Sequence, residues 1–565
     1  MINILLISFL TVFFHLCTGK IFSKSFQING KNYYDLCLSS LLGLIILSFI
    51  SLFINFFFPL NSLVNTIILI LIIILLLLKN NDFIKDIKSK IIIKYISISS
   101  LSVFIFLILN KIYNPDAGLY HFPYINILNE NKIILGISNL HQRFGHISIM
   151  QYLSAIHYNY LFGLNGIVVP LASIAVYSIF FFLTNTWSKR NLSISNIFSI
   201  LIILFICWKM NRYSEYGNDA PAHFIFFIIV QLYLNHKEKF LNMDEPTFFL
   251  ISFFSLFAFL NKTFLIYSIL IPLICLNKKK IFKFLNLKFI FLCLFFISWI
   301  TKNVLTSGCM IYPIPSTCID LDWTNFDKIS NVYDVSIGSE AWSKDWINQK
   351  NEILSYKDFL KNFYWVSVWL ENHFLKIYSI IIPYLFFILI FITFLVIMKK
   401  KRKKTIQPNF KQLFLIWAII LFALFSWFLK APLFRYGYSY IVSFIALTCA
   451  FFISYNLKNF VILNEKKIST VIVSLALLVL TLKQTHRIYK NYSLEYYNYP
   501  WPKYFSYNPQ NYKIKIKKIY KNNFFYYYTP KKTYCFYSKS PCTSVEVDNN
   551  LKYKINSYNY KVYYF

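Results

Sequence analysis

Acidic side chains and glycine are the scarce residues of this chain. Its 565 residues hold 23 Asp and Glu against 57 Lys and Arg, and only 12 Gly. So little glycine excludes a collagen-like repeat, and the long apolar runs exclude a disordered or coiled-coil chain. Charged residues of both signs amount to 14%, where a soluble domain carries about 25%. That is too little polar surface to cover a water-soluble globule of this length. Motifs are missing as well. There is no P-loop, no HExxH, no GxSxG and no GxGxxG. ATP-driven transport, zincin proteolysis and α/β-hydrolase chemistry therefore have no motif support. No internal repeat is seen, so an inverted-repeat transporter gains none.

What is present is apolar. Hydrophobic residues make up 57% and aromatics 20%, with a mean hydropathy of +0.52. A bilayer core of about 30 Å needs about 20 apolar residues per helix. Candidate spans fall at residues 1–17, 36–58, 61–78, 91–110, 165–184, 195–209, 219–234, 247–260, 263–276, 289–301, 376–398, 413–430, 438–455 and 468–483. The expected fold is an all-α polytopic membrane protein of about 12–14 transmembrane helices. The first run lacks a basic leader and a small-x-small cleavage site, so it reads as a span rather than a cleaved signal.

The formal net charge of +34 would suggest nucleic acid in a soluble protein. Here the basic residues punctuate apolar runs, most densely at 79–90, 278–288 (Lys278, Lys279, Lys280, Lys283) and 399–404. Weaker groups include Lys189-Arg190. That is the pattern of cytoplasmic loops, and no nucleic-acid partner is expected. Placing these loops inside leaves 111–164, 211–219, 302–374 and the tail after Lys483 outside. The alternation works only if 248–276 is two helices broken at Asn261-Lys262. The organisation expected is an N-terminal transmembrane unit (1–90), a core (91–484) with extracytoplasmic loops 111–164 and 302–374, and an extracytoplasmic tail (485–565).

Six cysteines, Cys17, Cys37, Cys207, Cys275, Cys293 and Cys449, lie in or beside apolar runs and read as packing. The other four form two local pairs in outside segments, Cys309 with Cys318 and Cys535 with Cys542. Disulfides are the expectation there. Free thiols are the alternative, and zinc would want tighter spacing with nearby His.

Ionisable residues near membrane depth are costly and are functional candidates by default. The densest group is Asn114-Pro-Asp116-Ala-Gly-Leu-Tyr120-His121 with Asn139-Leu-His141-Gln-Arg143-Phe-Gly-His146. A carboxylate beside His and Arg can act as a general base while Arg binds phosphate. The plainer reading is an Asp capping an interfacial helix, with His and Arg reaching to headgroups. A second group, Glu215-Tyr-Gly-Asn-Asp219-Ala-Pro221, opens the seventh span, where Asp219 can equally be a helix cap. The third is Lys262 inside an apolar run, which needs an anion or a path to headgroups. The fourth runs from Lys302 to Gly308 with Tyr312-Pro313 and Asp322-Trp323. The fifth is Ala431-Pro-Leu-Phe-Arg435-Tyr-Gly437. Five such groups at one face argue more than any one alone.

These residues, in this order over roughly 110–545, resemble a family of uncharacterised bacterial multi-spanning proteins that look like C-type (GT-C) glycosyltransferases. The pieces that carry it are Asp116-Ala-Gly-Leu-Tyr-His121, Gly136 with Asn139-Leu-His141 and Arg143-Phe-Gly145, Asp219-Ala-Pro221, Lys262, Asn303 to Gly308, Tyr312-Pro313, Asp322-Trp323, Trp427 to Pro432, Arg435-Tyr-Gly437, and Cys535 and Cys542 around Ser540-Pro541. The resemblance implies a GT-C-like core in the bacterial inner membrane, working at its outer face. The donor it implies is a polyprenyl-phosphate sugar, and the acceptor a cell-envelope glycan, lipid or protein. It makes Asp116 the base, with His121 or Asp219 orienting the acceptor or binding a metal. Arg143, Lys262, Lys302 and Arg435 become candidates for the donor phosphate, with Tyr120, Asn139, His141 and His146 supporting the acceptor or the loop. A divalent metal is left open, as are the sugar, the linkage and the oligomeric state. Four candidate spans precede the acidic loop here, three more than in many GT-C enzymes. Other readings are a polymerase or ligase of lipid-linked polysaccharide, a transporter or flippase of lipid-linked sugars, and an assembly factor that anchors the tail.

Overall fold

The computed structural model describes residues 2–30, 32–79, 89–108, 116–188, 193–210, 216–237, 244–274, 276, 285–327, 331–349, 354–401, 410–456, 460–462, 465–492, 517–521, 524–528 and 534–565. Asn114, Glu215, Cys275, Lys189, Arg190, Lys278, Lys279, Lys280 and Lys283 lie outside the described residues, as does most of the basic stretch 79–90.

The protein is mostly helical and membrane-embedded. Among the described residues, nine helices are long and apolar enough to cross a membrane. Four more apolar helices are shorter: Ser62–Leu78, Ile194–Lys209, Glu245–Asn261 and Thr263–Leu273. One further helix, Asp219–Lys237, carries Asp219, His223, Gln231, Asn235 and His236 along its length. Each of the fourteen apolar runs read from the sequence overlaps one of these helices. Apolar run length alone overstates how many qualify as spans by themselves, because it takes no account of interior polar residues.

Position in the bundle follows side-chain polarity. In Gly163–Trp187, 94% of the apolar window is buried, against 28% in Leu287–Ser307, Trp365–Ile397 and Leu413–Lys430. The outer helices instead expose Phe386, Leu389, Phe422 and Phe425, as a lipid-facing surface should. The side-chain amides of Asp219–Lys237 are satisfied inside. Ser199 Oγ donates to Gln231 Oε1 (2.9 Å), and Asn185 Nδ2 donates to Ser199 Oγ (2.8 Å). Gln231 Nε2 donates to Asn235 Oδ1 (2.9 Å), and Asn235 Nδ2 to Asn185 Oδ1 (3.0 Å). An unsatisfied amide in hydrocarbon would cost several kcal/mol, so this ring of amides is possible only where it closes on itself (about 2–7 kcal/mol per group).

The helices Ile2–Ser23 and Tyr33–Asn55 cross at glycines. A Cβ on Gly19 would lie 1.7 Å from Ser39 O, and one on Gly43 would lie 2.0 Å from His15 O. Small residues let two backbones touch in this way. The pair also packs on Lys90–Ile108 and Val169–Ser188, so the first helices share the core of the later ones.

The 248–276 run is broken at Lys262. Glu245–Asn261 ends there, and the following helical turns fold back on it, with Ser268 Oγ donating to Ser255 O at 2.9 Å. Asn286 Nδ2 and Lys288 Nζ meet Glu245 Oε1 at 2.9 and 2.6 Å, so the chain has returned to the far end by residue 286.

Two boundaries differ from the sequence reading. Lys302 is not in a loop, because the helix Leu287–Ser307 continues one turn past it and ends on Gly308 at φ +80°. The last helix, Glu465–Tyr492, runs past the boundary drawn at residue 485, and the described part of the tail after it holds strands. These are antiparallel strands Lys517–Lys521 and Phe524–Tyr528, a short parallel strand Cys542–Thr543, and a hairpin Lys552–Ile555 with Lys561–Tyr564. Lys- and Tyr-rich alternation hid these strands. Cys309 is bonded to Cys318, and Cys535 to Cys542.

Gly43→Leu should lower stability by about 1–3 kcal/mol through overpacking, read as a lower unfolding temperature of the purified protein in lipid. Gly338→Ala, where a Cβ meets nothing within 4 Å, should not lower it.

Candidate functional site

The end of the bundle that carries Asp219, Lys262 and Arg435 gathers an alternating chain of charges. Asp219 opens its helix. Lys262 sits at the break between two apolar helices, in an extended conformation that turns it out of the helical ladder. Arg435 lies in the turn between Phe410–Lys430 and Tyr438–Asn456. Asp116 opens a wide π turn, Ala117–His121, and makes no capping hydrogen bond there. Such turns recur at functional sites.

Asp219 Oδ1 lies 2.5 Å from Lys262 Nζ, and its Oδ2 lies 3.5 Å from Arg435 Nε. Arg435 Nη2 reaches on to Asp116 Oδ2 at 3.6 Å. Asp219 is thus shared by two cations, whereas the Arg435 contact of Asp116 is the longer one. The Tyr436 ring faces both Lys262 (5.3 Å) and Arg435 (5.4 Å) and stacks on Phe264. His223 fixes the Arg435 turn from behind. Its Nε2 meets Arg435 O at 2.8 Å and its Nδ1 meets Ser439 Oγ at 2.6 Å.

Arg143 is built differently. Its guanidinium lies over the rings of Tyr120 (5.8 Å) and Trp342 (5.6 Å). No carboxylate or carbonyl among the described residues takes its N–H groups. Two ring faces hold the plane and leave the donor edge open, the arrangement in which arginine takes an oxyanion. Trp342 comes from Val332–Ser343, in the long segment after Gly308.

His121 Nδ1 lies 3.4 Å from both Gln151 Nε2 and Asn218 Nδ2. Burial, then Lys262, pushes its pKa down to about 3. Burial and Arg143 bring His141 down to about 3, and burial, Arg143 and Lys262 do the same for His146. His141 caps the turn Gln142–Gly145 by accepting from Arg143 N at 3.0 Å. The His146 ring meets the edge of Tyr312 at 5.1 Å. Asn139 Nδ2 donates to Trp323 O (2.8 Å) and Tyr563 O (3.2 Å), so it ties three segments together. Lys302 does not join the charge chain. It is fully buried, and its ammonium meets Asn303 Oδ1 at 2.5 Å and the Trp299 ring at 4.9 Å.

Among the described residues, no three His, Cys, Asp or Glu are placed to hold a metal ion. Both carboxylates of the site already face cations. These residues do not fit a divalent metal, which wants several oxygen ligands.

Sequence reasoning missed His223 and Trp342, and it quoted Asn218 and Tyr436 only inside their motifs, with no role. The first lies one helical turn after Asp219, a spacing that could have been read. Trp342 carries no local signal, since only the fold brings it to Arg143.

A family defined by a domain of unknown function, DUF8201, matches residues 1–442. The chain belongs to that family. No curated protein and no solved structure matches it. The stretch matched by the DUF8201 domain contains the whole charge chain and Arg143. The disulfide loop 535–542 lies beyond it.

The three histidines generate a pH dependence. Each would take up a proton near 6.5 once unfolded, but near 3 while folded. Below 6.5 the unfolded chain therefore binds more protons, and stability falls as pH drops. The unfolding temperature should be level above pH 6.5 and should decline from 6.5 to 5. His141→Asn, which keeps a capping acceptor, should make that decline shallower.

Proposed function

We propose that this DUF8201 protein is a GT-C-type glycosyltransferase. It transfers a sugar from a polyprenyl-phosphate donor to a cell-envelope glycan, lipid or protein acceptor. The observation that carries the reading is Arg143, whose N–H groups meet no acceptor among the described residues, set over Tyr120 in the turn that Asp116 opens. Asp116 Oδ takes the proton of the acceptor hydroxyl. The acceptor oxygen attacks the anomeric carbon, the bond from that carbon to the phosphate oxygen breaks, and the lipid phosphate leaves with its electron pair. The Arg143 N–H groups meet the charge that develops on that phosphate. Asp219 orients rather than reacts, because Lys262 and Arg435 occupy it. Lys262 and Arg435 serve the site by setting its charge and geometry, and the phosphate falls to Arg143.

Two features support an extracytoplasmic working face in the inner membrane. Lys288, which follows the Lys278–Lys283 cluster in the sequence, meets Glu245 at the end of Glu245–Asn261 opposite Lys262, as expected of a residue beside a cytoplasmic loop. Both disulfides lie in segments at the site end, as expected in an oxidising compartment. In this reading the basic excess serves topology rather than nucleic-acid binding.

The test is mass spectrometry of surface glycans and lipid-linked sugars in a deletion strain rescued with wild type or variants at matched membrane levels. Asp116→Asn should reduce transfer by about 100-fold or more, and the precursor that accumulates should identify the donor and acceptor. Arg143→Gln should weaken use of the donor. Full rescue by Asp116→Asn would remove the base and favour a ligase or flippase of lipid-linked sugars.

A further inference from the structure

The tail beyond the family domain packs on the segment that carries Asp116. Phe536 donates its backbone N–H to Gly118 O at 2.9 Å, within the turn that Asp116 opens. On the following helix, Phe122–Glu130, Asn126 Nδ2 donates to Ser538 O, and Tyr537 OH donates to Asn129 Oδ1 at 3.0 Å. Past that helix, Lys561 Nζ donates to Asn131 Oδ1 at 2.7 Å. Leu135 N–H donates to Lys561 O, and Tyr563 N–H to Leu135 O, both at 2.9 Å. The tail thus holds the segment at its start, its middle and its end.

Glycines record how close the approach is. A Cβ on Gly118 would lie 2.7 Å from Phe536 Cε1 and 2.9 Å from Tyr534 Cβ. One on Gly136, at φ +63°, would lie 2.2 Å from Tyr563 O. The Cys535–Cys542 bond closes the loop that presents Phe536, Tyr537 and Ser538, and both sulfur residues are buried. A covalently closed loop keeps its contacts at lower entropic cost than an open one.

We infer that residues 534–565 are a positioning part of the site. The disulfide loop holds the Asp116 turn against Arg435, so the tail is not a separate appendage. Its consequence for activity rests on the reading of Asp116 as the base, but the positioning itself does not.

Hydrogen–deuterium exchange on the full chain in lipid nanodiscs separates the two. In the double variant Cys535→Ser/Cys542→Ser, amides of residues 117–130 should exchange about tenfold faster or more, while the central helices keep their protection. Cys309→Ser/Cys318→Ser should leave 117–130 unchanged. Gly118→Ala keeps the disulfide and tests the contact directly. It should raise exchange in the same stretch, because the added Cβ displaces both Phe536 and Tyr534. Unchanged exchange in 117–130 on opening the loop, or in Gly118→Ala, would overturn the inference. In the glycan assay the same variants should lose transfer when Asp116→Asn does. If Asp116→Asn rescues fully while the exchange pattern holds, the glycosyltransferase reading fails and the positioning stands.

Discussion

One carboxylate shared by two cations organises this end of the protein. Lys262 and Arg435 come from different helical hairpins and would repel each other if brought together alone. Asp219 between them makes their approach favourable, because a charge drawn out of water must be paired. With Arg435 held by Asp219 on one side and through its backbone by His223 on the other, its Nη2 faces Asp116. The four groups carry two charges of each sign. That balance leaves Arg143 as the cation of the site whose attraction is not spent on a neighbouring carboxylate.

The same accounting of polar groups runs through the bundle. A helix with two amides and two histidines can lie at its centre because those groups meet one another and their neighbours. Lys302 is the exception, an ammonium in the body of a helix with an amide oxygen and an indole ring for company.

Much of the fold was legible because lipid demands apolar runs of a certain length, and every run became a helix. The 248–276 run read as two short helices or one long bent one, with the alternation of loops requiring two, and the helix does end at Asn261. Asp116, Asp219, Lys262 and Arg435 stood out as charges in an apolar background, and the structure brings these four together. Lys302 stood out equally, yet its helix extends beyond it, because a polar residue near a helix end does not by itself end the helix. Trp342 and the tail strands were not legible. The first depends on a contact between distant segments, and the second on an alternation masked by a composition rich in Lys and Tyr throughout.

The tail's grip on the first loop also sets an order of events in making the protein. Asn126 and its partner Ser538 are 412 residues apart in the chain. At a synthesis rate of about 5–20 residues per second, the segment after Asp116 waits roughly 20 to 80 seconds for the strand and loop that complete it. During that interval the early helices can already be inserted and packed. An activity that depends on the Asp116 turn would therefore be withheld from an unfinished chain and would begin only when its last strands have reached the same side of the membrane.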